Sequence, residues 1–177
     1  MRMKKRSSLP PSKSIALAAM FSSLGLLFLY AATIVPTGRI GLYAIAAFFV
    51  AGLANEGEVG LAWMQYIVVS TLGMLLVPDW TRVLPYVIFF GHYAIFKYYI
   101  ESRFRSSLIG WLLKFLVFNG FMAIVMLVAQ AVLFPKGMPL PLWAVIAIAQ
   151  PAFLIYDIAF TGVIRLYEDN IRRWLFK

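Results

Sequence analysis

Six apolar runs follow one another with only short turns between them, and that spacing leaves the chain little choice of fold. They cover residues of about 14–35, 39–54, 59–77, 82–101, 108–134 and 141–166. A helix needs roughly 20 apolar residues to cross a bilayer, and only the second run is short. Each boundary carries Pro, Gly or clustered charge, as in "VPTGR", "NEGE" and "VPDW", which are turn formers. The residues are 63% hydrophobic and 13% charged, whereas soluble domains are about 45–50% apolar and about 25% charged. Such a chain cannot cover its surface with polar groups. The expected fold is an all-α membrane protein of six transmembrane helices in a single compact bundle spanning residues 1–177.

Charge placement gives the expected orientation. Thirteen basic residues fall on the side of the N-terminus, among them Arg2, Lys4, Lys5, Arg6, Lys13, Arg103 and Arg105, and three (Arg39, Arg82 and Lys136) on the other. The positive-inside bias makes both termini cytoplasmic. The apolar run from Ile15 to Val35 is longer than the core of a signal peptide and reads as a retained anchor. The net charge of +9 sits at ends and loops beside apolar segments, so lipid headgroups rather than nucleic acid are its expected partner.

The stretch "FFGHYAIFKYYIE" places His92, Lys97 and Glu101 in the fourth run. At about 100° per residue, Lys97 and Glu101 are neighbours one turn apart, with Tyr86 and Tyr93 on the same stripe and His92 on another face. By depth, Lys114 and Asn119 of the fifth helix and Asp157 of the sixth lie at a matching level. Gln150, Thr161 and Glu168 share the face of Asp157, and Gln130 that of Asn119. A lone charge in hydrocarbon is costly, so Lys97, Glu101, Lys114, Asn119 and Asp157 are expected to converge, with Asp157 beside a base. That polar cluster either touches substrate or fixes helix register as an ion-pair network.

At the opposite face stand Arg39, the pair Asp79 and Arg82, and Lys136, with Tyr43, Trp80, Tyr86 and Trp143 at the same level. Two readings fit: an aromatic belt with ordinary turns, or a solute pocket. In the pocket, Arg39 or Arg82 would clamp an anionic group and His92 would line the floor. Glu56 and Glu58 of "GLANEGEVG" read as a solvated turn without partners.

With no cysteine and one histidine, a thiol nucleophile, a disulfide and a His-based metal set are all excluded. P-loop, HExxH, GxSxG and Asp-rich diphosphate motifs are absent from the sequence. The expectation is a protein that is not an enzyme and carries no cofactor. In the first helix Ser14, Ala18, Ser22 and Gly25 form a small-residue stripe, widened by Ala19 and Ser23. Gly41, Ala44, Ala47 and Ala51 repeat the idea in the second. Such stripes admit a close neighbour, either inside the protein or in a partner.

Six short-looped helices, both ends inside and a small-residue first helix resemble the substrate-binding S components of energy-coupling-factor transporters. "PTGR", "FFGHYAIFKYYIE", "LKFLVFN" and "YDIAF" resemble a branch without a defined vitamin motif. The resemblance implies a vitamin or metal-ion site near the outer face, a coupling membrane protein and two ATPases, and the bacterial inner membrane as location. On that model Ala18 and Ser22 match the docking pattern, with serine in place of the second alanine. The alternatives are a cell-shape type membrane scaffold and a lipid-handling protein in which Lys97, Glu101 and Asp157 form a headgroup path.

Overall fold

A computed structural model describes residues 10–104, 108–130 and 141–167. Lys136, Glu168, Arg105 and the terminal basic residues lie outside them. The described residues are helical, with no strand among them: α1 (Pro11–Ile34), α2 (Arg39–Asn55), α3 (Val59–Leu76), α4 (Gly91–Phe104), α5 (Leu108–Val128) and α6 (Leu142–Leu166). A 3-10 turn (Trp80–Arg82) and a π turn (Tyr86–Phe90) precede α4. Five segments are long and apolar enough to cross a membrane: Pro11–Ile34, Val59–Leu76, Trp80–Phe104, Leu108–Val128 and Trp143–Leu166. The sixth helix, α2, has 17 residues.

Local chemistry sets the helix ends. Pro11 opens α1 at a position whose backbone N–H would have no helical partner. Val35 and Val77 leave α1 and α3 in extended conformation, as residues ahead of Pro36 and Pro78 must. Gly57 has φ of 90°, the left-handed geometry that a Schellman end requires. Its N–H donates to Ala54 O at 3.1 Å, and Glu58 N–H to Leu53 O at 3.1 Å.

The chain forms two compact units, Met1–Val117 and Phe118–Lys177. In the first, α2 packs against α1, α3 and α4. Its buried face is Tyr43, Ala46, Ala47, Val50, Ala51, Gly52, Leu53 and Ala54. Small side chains there let helices approach closely. A Cβ on Gly52 would lie 2.6 Å from the Phe21 ring, and one on Gly73 would lie 2.7 Å from Leu29. Gly41, part of the small-residue pattern expected in this helix, has nothing within 4 Å of the same position. In the second unit, Phe118 of α5 stacks on Phe153 of α6 with ring centroids 4.2 Å apart.

The turn after α2 departs from the solvated loop expected of it. Glu56 is buried at 1% exposure, and Glu58 accepts a hydrogen bond from Ser14 Oγ at 2.8 Å. The reversal at Gly57 folds both carboxylates back toward the bundle instead of out into solvent.

Candidate functional site

At the end of the first unit where α1 finishes and α2 begins, an open cavity of about 340 Å³ is lined by Tyr30, Thr33, Ile34, Val77, Pro78, Asp79 and Arg82. The last turn of α1 makes one wall, and the turn that follows α3, where Pro78 stops that helix, makes the other. Arg82 is fixed on three sides. Its Nε donates to Asp79 Oδ2 at 2.8 Å and its Nη1 to Thr33 O at 2.7 Å, while its own carbonyl accepts from Tyr43 Oη at 2.5 Å. Asp79 Oδ1 accepts from Thr81 Oγ1 at 2.5 Å. The hydroxyl of Thr81 and the guanidinium of Arg82 hold the Asp79 carboxyl below its ordinary pKa. The arrangement offers a guanidinium with N–H groups to spare, a paired carboxylate and an apolar wall with one tyrosine ring.

Of Arg39, Asp79, Arg82, Tyr86 and His92, the residues expected to bind a solute, only Asp79 and Arg82 line this cavity. Arg39 caps the end of α1, its Nε donating to Val35 O at 2.9 Å. Tyr86 and His92 lie deeper, in a cluster around Tyr66 of α3, with ring centroids 6.4 Å and 5.5 Å from the Tyr66 ring. Level along the bundle does not fix which way a side chain faces, and these two face α3. A π turn adds a residue to the helix between Arg82 and His92, and Tyr86, Tyr93 and Lys97 are all buried, at 0%, 0% and 1% exposure. Tyr66 Oη donates to Val87 O at 2.8 Å. His92 Nδ1 lies 3.1 Å from the same oxygen, which puts the ring proton on Nδ1.

Toward the other end of α4, Lys97 and Lys114 meet Glu101. Both ammonium groups contact Oε1, at 2.9 Å and 2.5 Å, and Lys114 also sits 5.0 Å from the centre of the Trp111 ring. Lys97 is only 1% exposed, so this is a buried charge with a built partner rather than a snorkelling side chain. In the second unit, Gln150 Nε2 donates to Asn119 Oδ1 at 2.8 Å. Asp157 is buried, and its backbone carbonyl accepts from Thr161 Oγ1 at 2.8 Å.

The α1 stripe divides. Ser14 and Gly25 are buried, and Ala18 and Ser22 are half-buried. A Cβ on Gly25 would meet Gln65, Val69 and the Ala46 carbonyl at 3.6–3.7 Å. The outer side of the helix is instead Ala19 and Ser23, both exposed.

Sequence reasoning did not single out Tyr30, Thr33, Ile34, Val77 and Pro78 in the cavity wall, nor Tyr66 and Gln65. Polar residues inside the apolar run "WMQYIVVS" were the available signal for the last two. Gln65 is 2% exposed, and neither its amide nitrogen nor its oxygen has a partner among the described residues. Those residues hold no group of three or more His, Cys, Asp or Glu side chains able to bind a metal ion. No family model, no curated protein and no solved structure matches the chain.

Proposed function

We propose that this chain is the solute-binding membrane subunit of an uptake system, comparable in role to the S components of energy-coupling-factor transporters. It lies in the bacterial inner membrane with both termini cytoplasmic and six spans, α2 being the short one. It works without catalysis of its own, and a coupling membrane protein with its ATPases supplies the energy. The observation that carries the reading is the cavity at Asp79 and Arg82. Its volume of about 340 Å³ falls at the low end of the roughly 300–1,000 Å³ of small-molecule sites. Its few polar groups are held in place by bonds to the backbone of α1 and the side chain of α2. In the proposed orientation it opens to the outside, where a solute arrives.

Mass spectrometry of the protein purified in mild detergent tests the reading. A small solute should co-purify, and Arg82→Ala should release it without lowering the melting temperature by more than a few degrees. A clean, solute-free protein, or a solute equally retained by Arg82→Ala, would refute it. The orientation has its own check, because the chain has no native cysteine. Trp80→Cys should react with an impermeant maleimide in spheroplasts, and Ser102→Cys should not.

One observation favours a second reading. Burial of Ser14 and Gly25 uses half of the α1 stripe for internal packing, as a self-contained scaffold would. That reading expects neither solute nor coupling partner.

A further inference from the structure

The π turn at Tyr86–Phe90 is held by specific contacts and opposed by another. Isolated π turns inside helices occur often at functional sites. Here the Val87 carbonyl receives two side chains, Tyr66 Oη at 2.8 Å and His92 Nδ1 at 3.1 Å. Gly91 completes the latch: a Cβ there would sit 2.5 Å from the Tyr66 ring, so only glycine lets the tyrosine close over the turn. Against these contacts stands the Tyr86 hydroxyl, fully buried and with no hydrogen-bond partner among the described residues. Burying an unpaired hydroxyl is unfavourable, and Tyr86 is the first residue of the π turn.

We propose that this turn is a two-position register joint, alternating between the π form and a regular α-helical form with one residue fewer in the turn. Winding the same residues as α-helix displaces one side of the joint relative to the other by about 1.5 Å and about 100°. Backbone bonds link the joint to the cavity side. Val83 N–H bonds Trp80 O at 3.0 Å, Tyr86 N–H bonds Val83 O at 3.0 Å, and Val87 N–H bonds the same carbonyl at 3.1 Å. Val83 thus ties the first turn of the joint to Trp80 across Leu84 and Pro85. A register change carries Arg82 away from Thr33 O and from Tyr43, the contacts that build the cavity edge. Tyr86 leaves its buried position in the same movement. The joint is a property of the fold, and its role as a gate over the cavity rests on the solute-binding reading above.

Spin labels on cysteines placed at Ile40 and Trp80, both exposed, report the joint by pulsed dipolar spectroscopy. Deleting Ile88 removes the extra residue, leaves an α-helix whose flanks keep the relative position of the π form, and so marks the distance belonging to that form. Tyr66→Phe removes one latch and should enlarge a second population, at another distance, several-fold over the parent. Tyr86→Phe removes the unpaired hydroxyl and should leave a single distance, that of the π form. Because it deletes one oxygen from a packed side chain, it is expected to fold and decides the question even if Tyr66→Phe does not. A single distance that is indifferent to both substitutions overturns the joint and leaves the solute reading untouched. Populations that shift in a protein that holds no solute support the joint and remove its role as a gate.

Discussion

Lys114 of α5 and Lys97 of α4 end on the same carboxylate oxygen of Glu101. One acidic side chain thus ties two turns of α4 together and joins them to the next helix. Glu101→Gln keeps the shape and removes the charge from beside a buried ammonium. The expected loss is about 1–3 kcal/mol, the range for leaving a buried group without its partner. Adding Lys97→Met should recover part of it, since apolar atoms of similar size then replace the buried ammonium. A double-mutant cycle on melting temperatures in detergent measures the coupling.

Gly52 and Gly41 lie on one helix and should respond oppositely to the same change. Gly52→Ala drives a methyl into the Phe21 ring, a contact of 2.6 Å before relaxation, and overpacking of this kind costs about 1–3 kcal/mol. Gly41→Ala meets open space and gains helix propensity worth about 1 kcal/mol. Thermal unfolding of the two variants should show one melting temperature falling and the other rising or holding.

Gln65 carries a buried amide with no partner among the described residues. Gln65→Met has similar volume and no amide to leave unpaired. We expect it to raise stability by about 1 kcal/mol, the lower end of the penalty for an unpaired buried polar group. A fall in melting temperature would mean that the amide is engaged in the folded protein.

Asp79 sets a pH limit on the cavity edge. Its folded pKa lies below the ordinary value of 3.8, so its contribution is fully present above that value. The contribution is lost as the pH falls through the lower, folded one. Trp80 fluorescence should therefore stay constant from pH 8 to pH 5 and change only below about pH 4. In Asp79→Asn that acid transition should vanish.

Much of the helical layout was legible because proline, glycine and charge punctuate long apolar runs. The i,i+4 pairing of Lys97 with Glu101 was legible too, since both lie in regular α-helix, and Lys114 joined them as its depth suggested. Of the pocket set, Asp79 and Arg82 line the cavity, while Tyr86 and His92 face Tyr66, because level along a helix does not fix the direction a side chain takes. Nothing in "PYVIFFGHY" announces an extra residue per turn. Tyr86, Tyr93 and Lys97, grouped by the wheel, are all buried, but the wheel did not reveal that His92 would face Tyr66. The turn at Glu56 and Glu58 misled for a related reason, because a Schellman end at Gly57 folds its flanking carboxylates back toward the helices.

The lengths of α1 and α3 have a consequence for the bilayer itself. At 1.5 Å per residue, the 18 residues of α3 span about 27 Å and the 24 of α1 about 36 Å, against a hydrocarbon thickness of about 30 Å. Met64, Ile67, Val68, Leu72 and Leu75 make the exposed face of α3 apolar, so in a bilayer the lipid beside it would meet a wall shorter than its own height. The membrane would then thin there or α3 would stand nearly upright, while α1 would reach full length only by tilting. Membrane thickness would thereby bear unequally on two neighbouring helices of one unit.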